Sequence, residues 1–185
     1  MTYDLVIIGA GPAGLTAGIY ARSKMMKTLI LDAYKVGGQL ISLYPEKGIH
    51  NYPGFETIQA RRLSDKLYAQ AESMECDIHE GEKVMDIITA DGGYTVKTDK
   101  GEYQTVSVVV AIGMGMFKPK KMGAEGEDKF EGKGLTYVLP KKEELVSKKV
   151  VMFGGGNSAI DMALVSCTVT DTTLVHRKDT FRADE

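Results

Sequence analysis

Residues 3–8 are an apolar run that breaks into the glycine pattern Gly9-x-Gly11-x-x-Gly14 and resumes as a helix-like stretch at Pro12. This device constrains the fold more than any other feature. The first glycine allows a sharp turn, the second leaves backbone open to close approach, and the third lets helix and strand pack tightly. Proline at the first helical position loses no hydrogen bond, because that N–H has no intrahelical partner. Residues 27–32, "KTLILD", then read as a second strand ending in Asp32, which completes a βαβ unit. The device returns in "VVMFGGGNSAIDMAL" at 150–164, as Gly154-x-Gly156-x-x-Ala159, followed by the strand-like "TTLVHR".

Between the two lies a change of period. Ala13, Ala17 and Ala21 predict a small-residue stripe that packs the first helix on its sheet. Residues 33–56 are rich in Gly, Pro and Tyr and show no period, which in a compact domain marks a functional loop. Over 57–75, Ala60, Leu63, Leu67, Ala71 and Met74 fall on one helical face. From residue 76 the runs "EKVMDIIT", "GYTVKT" and "EYQTVSVVVAIG" predict strands joined by turns at "DGG" and "DKG". Residues 113–134, dense in Gly, Lys and Glu, read as a connection. The fold class is α/β: a Rossmann-like unit with a small antiparallel β-meander, then a second, incomplete Rossmann-like unit.

The bulk numbers exclude more than they assign. With 43% hydrophobic and 26% charged residues the chain is of the soluble globular class. A net charge of −2 gives no reason to expect nucleic acid or an anionic membrane as partner. No apolar run approaches the roughly 20 residues that span a bilayer, and the amino terminus lacks the pattern of a cleavable leader. Cys76 and Cys167 form no CxxC and read as free thiols of a cytoplasmic protein.

The glycine cradles carry the chemistry. A helix amino terminus supplies N–H groups and positive dipole for a pyrophosphate, and an acid at the end of the second strand bonds a ribose hydroxyl. Gly9 to Asp32 spans 23 positions, and Gly154 to Arg177 also spans 23. The first count ends on a carboxylate, the second on His176, Arg177 and Lys178, with Arg182 beyond. A carboxylate repels a 2′-phosphate, whereas cations pair with one. The first cradle therefore suits FAD or NAD and the second NADP(H). Two dinucleotides with different ribose preferences imply hydride transfer between them. A flavin would carry that redox step itself, so no catalytic side chain and no metal is expected, and three histidines without a triad agree with this.

The order GxGxxG, "GGQL", meander, "AIG", "GGGNSA", "HRKDTFRA" resembles the low-molecular-weight thioredoxin reductase-like flavoproteins. Within them it is most similar to the type 2 ferredoxin–NADP reductases, through "GGQLISLYPEK" (37–47), "GMFKPKKM" (115–122) and the missing CxxC. The loop "HNYPGF" (50–55) instead resembles the thioredoxin reductase version. The resemblance implies a GR2-type FAD domain beginning at 1–115 and an NADP domain beginning at 116–185. It implies that FAD is held by Gly9, Gly11, Pro12, Ala13, Gly14 and Asp32. Gly38, Gln39, Leu40, Tyr44 and Asn51 would join them, with Val84, Ala111, Gly113 and Phe117. It implies that NADP(H) is held by Gly154, Gly156, Asn157, Ser158, Ala159, His176, Arg177, Lys178 and Arg182.

Without a dithiol the flavin cannot reduce thioredoxin by disulfide exchange. The implied partner is then a ferredoxin or flavodoxin-like carrier, the alternative a separate thioredoxin-like protein, and a silent dinucleotide-binding protein is the reading from another class. Lys118, Lys120 and Lys121 are a candidate basic surface for an acidic carrier, though a charge run of this kind more often forms a solvated face. A homodimer is implied by the family. Its chains are longer and return to complete the flavin sheet, so an open sheet edge and weak FAD retention are expected of these 185 residues.

Overall fold

A computed structural model describes residues 2–115 and 121–182. The elements run β1 (Thr2–Ile8), α1 (Pro12–Ser23), β2 (Thr28–Leu31), α2 (Gln39–Ser42), β3 (Gly48–Ile49), β4 (Ile58–Gln59), α3 (Ala60–Ser73) and β5 (Asp77–His79). They continue as β6 (Val84–Ala90), β7 (Gly93–Thr98), β8 (Glu102–Val110), α4 (Glu127–Phe130), α5 (Lys142–Leu145), β9 (Lys149–Phe153), α6 (Asn157–Ser166) and β10 (Asp171–Val175). Two compact units result: Met1–Pro45 with His50–Phe117, and Glu46–Ile49 with Lys118–Glu185. No helix among the described residues is long and apolar enough to cross a membrane.

In the first unit six strands form one sheet in the order β5-β2-β1-β8-β7-β6. The first four are parallel and the last two antiparallel. The meander is thus a continuation of the parallel sheet. β2 is buried at every position, as its unbroken apolar run requires of a central parallel strand. Val6, Ile7, Leu15, Leu29, Ile30 and Leu31 are fully buried and form the centre of the unit. Strand β8 pairs with β1 as far as Val110, but with β7 only over residues 102–105. Past Thr105 no strand among the described residues covers that edge, and Val106 and Val110 are exposed.

Helix α1 corrects the expected alanine stripe. It buries Gly14, Leu15, Gly18 and Ala21, while Ala13 is exposed. A Cβ on Gly18 would stand 2.6 Å from Ile30 Cδ1 and 3.2 Å from Cys76 Sγ, so the close approach of helix to sheet depends on glycine there. Helix α3 buries Ala60, Leu63, Leu67 and Ala71 as its period predicts, with Ser64 added and Met74 only half-buried.

A polar cluster joins strands distant in sequence. Tyr3 donates to Asp77 at 2.6 Å, and Thr98 and Tyr103 donate to the buried carboxylate of Glu82 at 2.7 and 2.8 Å. The His79 ring lies between Asp77 at 3.1 Å and Glu82 at 3.0 Å. Burial pushes the Tyr103 hydroxyl up to about 12, and its acceptor Glu82 adds to the shift. Burial alone would raise the Glu82 carboxyl, but hydrogen bonds from Thr98, Tyr103 and His79 outweigh it and hold the group below its ordinary value.

The second unit contains the parallel pair β9 and β10, linked through α6, which spans the residues its sequence pattern predicts. Val151, Phe153 and Val175 alternate along the two strands and leave one apolar face exposed. The connecting segment is organised by Glu127, whose buried carboxylate accepts N–H groups of Met122, Gly123 and Ala124 and the hydroxyl of Tyr137. The Met122 amide first, then the Tyr137 hydroxyl, hold its carboxyl below the ordinary value. A depressed folded value means that the stabilisation is complete above the unfolded carboxyl range and is lost as pH falls through the folded value. Amide-exchange protection at Met122, Gly123 and Ala124 is therefore expected to fall in acid below pH 4.5. In Glu127→Gln it is expected to be lower at neutral pH and nearly flat in acid. An unchanged acid profile in that variant would assign the transition to another group.

Candidate functional site

The first cradle lies where β1 and β8 end. Gly9 donates its N–H to Leu31 at 2.7 Å and holds φ +107°, and a Cβ on it would meet Ala111 O at 2.4 Å. A Cβ on Gly14 would stand 1.8 Å from Gly9 O. Gly11 differs: its Cβ direction meets only Gly38 Cα, at 3.9 Å. Gly37 bonds Ala10 O at 2.8 Å, which seats the 37–38 turn beside the cradle. Gln39 Nε2 is 3.6 Å from where a Cβ on Gly113 would be. Gly9, Gly11, Gly38, Gln39, Ala111 and Gly113 are thereby gathered at the carboxyl ends of parallel strands, where open α/β sheets bind ligands.

Asp32 closes this site. Its carboxylate accepts the N–H of Ala10 at 2.7 Å and of Tyr34 at 2.9 Å, and lone pairs remain for a ligand donor. Its backbone is laced to the next turn, through Asp32 N to His79 O at 3.0 Å and Glu82 N to Asp32 O at 2.8 Å. Pro12 opens α1 and Ala13 is exposed on it. Leu40 is buried, so its side chain belongs to the core, and Val84 packs against the cluster of Tyr3, Val6, Leu29, Leu31 and Val96. Tyr44 is half-buried and Asn51 exposed. Phe117, Lys118 and Lys120 lie outside the described residues. Lys121 is paired with Asp128 at 2.6 Å and Glu131 at 2.7 Å, which removes it as a free cation for a partner. A cleft of about 540 Å³ between α1, α3 and Tyr52 includes only Pro12 and Ala13 of these residues, so the site is defined by the strand ends and not by this cleft.

The second cradle repeats the first with one displacement. Gly154 bonds Val175 O at 3.0 Å, as Gly9 bonds Leu31 O, and α6 begins at Asn157 as α1 begins at Pro12. The ladders pair Ile8 with Leu31 and Phe153 with Val175. The counterpart of Asp32 is therefore His176, and Arg177 lies one residue beyond. Equal counts of 23 concealed the offset, which arises because α6, with 10 residues, is shorter than α1, with 12, while β10, with 5 residues, is longer than β2, with 4.

His176 occupies that place with its ring over Gly155: a Cβ on Gly155 would stand 2.3 Å from ring atoms. The ring stacks on Phe181 at 5.4 Å and 25°, and Arg182 N–H bonds Gly155 O at 2.8 Å. His176 Nε2 is buried and has no partner among the described residues. Arg177, Lys178 and Arg182 are exposed, and among the described residues none is paired with a carboxylate. Asn157 and Ser158 are exposed on the first turn of α6, Ala159 is half-buried, and Gly156 faces open space. Sequence reading passed over Gly155 and Phe181. The middle glycine of "GGG", where the first cradle has Ala10, was the available signal.

Two glycine-cradled βαβ units, the first in a mixed sheet with a parallel core, define a Rossmann-like α/β protein. The model of the pyridine nucleotide-disulphide oxidoreductase family matches residues 6–185, and the chain belongs to that family. It is 42% identical over 187 residues to a ferredoxin–NADP reductase of Metallosphaera sedula and 43% identical over 188 residues to one of Sulfurisphaera tokodaii. In each case 99% of this chain aligns with 56% of the relative, so the chain spans about half the length of these relatives. Among solved structures it is similar to the thioredoxin reductase of Lactococcus lactis, at a TM-score of 0.81 and 32% identity over 99% of this chain and 59% of that one. The thioredoxin reductase of T. acidophilum gives 0.84 and 29% over 100% and 59%.

Proposed function

We propose that this chain is part of an FAD-dependent oxidoreductase that moves electrons between NADPH and a ferredoxin or flavodoxin-like carrier. The observation that carries the reading is the contrast between the strand ends, a carboxylate at Asp32 against the unpaired cations Arg177 and Lys178. Residues 1–115 would form the first segment of the flavin domain and 116–185 part of the nicotinamide domain, in a cytoplasmic homodimer. The donor sets fit the two groups. Gly11 and Gly38 offer bare backbone to a pyrophosphate, and Asp32 keeps acceptor capacity for a ribose hydroxyl. At the second cradle Gly156 is open, and the cations complement a 2′-phosphate.

When bound, a flavin converts a two-electron hydride donor into a source of single electrons. The protein's own residues bind and orient, and none is assigned a proton. A carrier without a disulfide is favoured by the cysteines. Cys76 is buried, with its thiol pushed up by burial, and Cys167 belongs to the other unit. The stretch 135–145, where the resemblance to the thioredoxin reductases implies a CxxC, has no cysteine. The test is NADPH oxidation by the whole FAD-loaded protein that contains these residues, with ferredoxin in one assay and thioredoxin plus a disulfide reporter in the other. Turnover with ferredoxin is the expected result, and turnover only with the disulfide system would overturn the reading.

A further inference from the structure

The middle glycine of "GGG", Gly155, has no glycine counterpart in the first cradle, where Ala10 stands in its place. The structure supplies the reason. At the first cradle the short Asp32 side chain takes the Ala10 N–H from the side, and a methyl group on residue 10 is tolerated. At the second, the equivalent His176 ring lies flat over residue 155, and a methyl group there would overlap three ring atoms at 2.3 to 2.5 Å. Phe181 stacks on that ring, and the N–H of Arg182 bonds the carbonyl of the same glycine. The loop from 176 to 182 is therefore closed on Gly155 at both ends. Within that closed loop lie Arg177 and Lys178, with Arg182 at its far end.

We infer that Phe181 and His176 are positioning residues that set the preference of the second cradle for a 2′-phosphorylated pyridine dinucleotide, by clamping the cationic loop onto Gly155. The inference rests on the reading of this cradle as the NADP(H) site. A loop already held in one conformation loses less freedom when it meets the phosphate, and that saving appears as affinity. It applies only to a ligand that uses the loop. NADH, which has no 2′-phosphate, gains nothing from it.

The experiment compares NADPH and NADH binding to the full chain by calorimetry. Phe181→Ala is expected to weaken NADPH roughly fivefold to tenfold and to leave NADH within about twofold. Phe181→Tyr keeps the stacked ring and is expected to retain the wild-type ratio. In an Arg177→Ala background the Phe181→Ala change is expected to lose most of its effect, because it acts through the cations. Phe181 is half exposed, and circular dichroism verifies that each variant folds. Equal weakening of both nucleotides by Phe181→Ala would overturn the inference, as would a full Phe181→Ala effect without Arg177. A wild-type chain that binds NADPH no better than NADH would overturn the reading of the cradle itself, and with it the clamp.

Discussion

Gly14→Ala is expected to prevent the first unit from accumulating in folded form, whereas Gly11→Ala is expected to fold normally and to lose its dinucleotide. The two glycines belong to one motif, but they meet different surroundings. A Cβ at residue 14 would stand 1.8 Å from Gly9 O and 3.0 Å from Gly9 C, which are backbone atoms of the turn itself. Relief requires α1 to lift from the sheet, and that uncovers Leu15 and opens the seat of Gly18 against Ile30. Losses from displaced core packing reach about 3–5 kcal/mol, a large part of the roughly 5–15 kcal/mol that holds a domain folded.

At residue 11 the same methyl group meets one atom at an ordinary 3.9 Å, with φ at −75°. Its thermal midpoint should stay within a few degrees of wild type. The methyl group would instead occupy the side on which a pyrophosphate approaches the backbone, and FAD affinity should fall by about tenfold or more. Soluble yield, thermal melts and FAD titration separate the two outcomes. Normal FAD binding by Gly11→Ala would show that no ligand lies against that glycine.

Arg177→Ala is expected to weaken NADPH about 10- to 100-fold and leave NADH nearly unchanged. Charge-assisted hydrogen bonds contribute about 1.5–3 kcal/mol, which corresponds to roughly that range of affinity. Among the described residues Arg177 has no carboxylate to release, so its removal leaves no buried charge and little structural cost. Binding isotherms for both nucleotides provide the measurement. An equal effect on NADPH and NADH would refute the 2′-phosphate assignment.

What sequence reveals here follows the range of the interactions. Helix α6 and the buried face of α3 are local patterns, and their periods were readable. The face of α1 was not, because glycines at 14 and 18 carry no hydrophobic signal and reveal their burial only against Ile30 and Cys76. Strand β5 is three residues long, too short for any alternation to register. The offset between Arg177 and His176 is likewise invisible to counting, since the ladder partners of Ile8 and Phe153 decide it. The burial of the Glu82 and Glu127 carboxylates has no local signal, because only the fold brings Thr98, Tyr103 and Tyr137 to them.

The order of the central sheet has a consequence for how the chain is made. Strand β1 lies between β2 and β8, and Ser107 of β8 bonds Asp4 of β1 across 103 positions of sequence. At about 5–20 residues per second, a ribosome needs roughly 5 to 20 seconds to supply β8 after β1 has emerged. During that time β1 and β2 hold their apolar side chains beside an open strand edge, and Tyr3 waits for Asp77. The nascent chain thus depends on protection of its first thirty or so residues until synthesis passes Val110. The centre of this sheet is the part that is completed last.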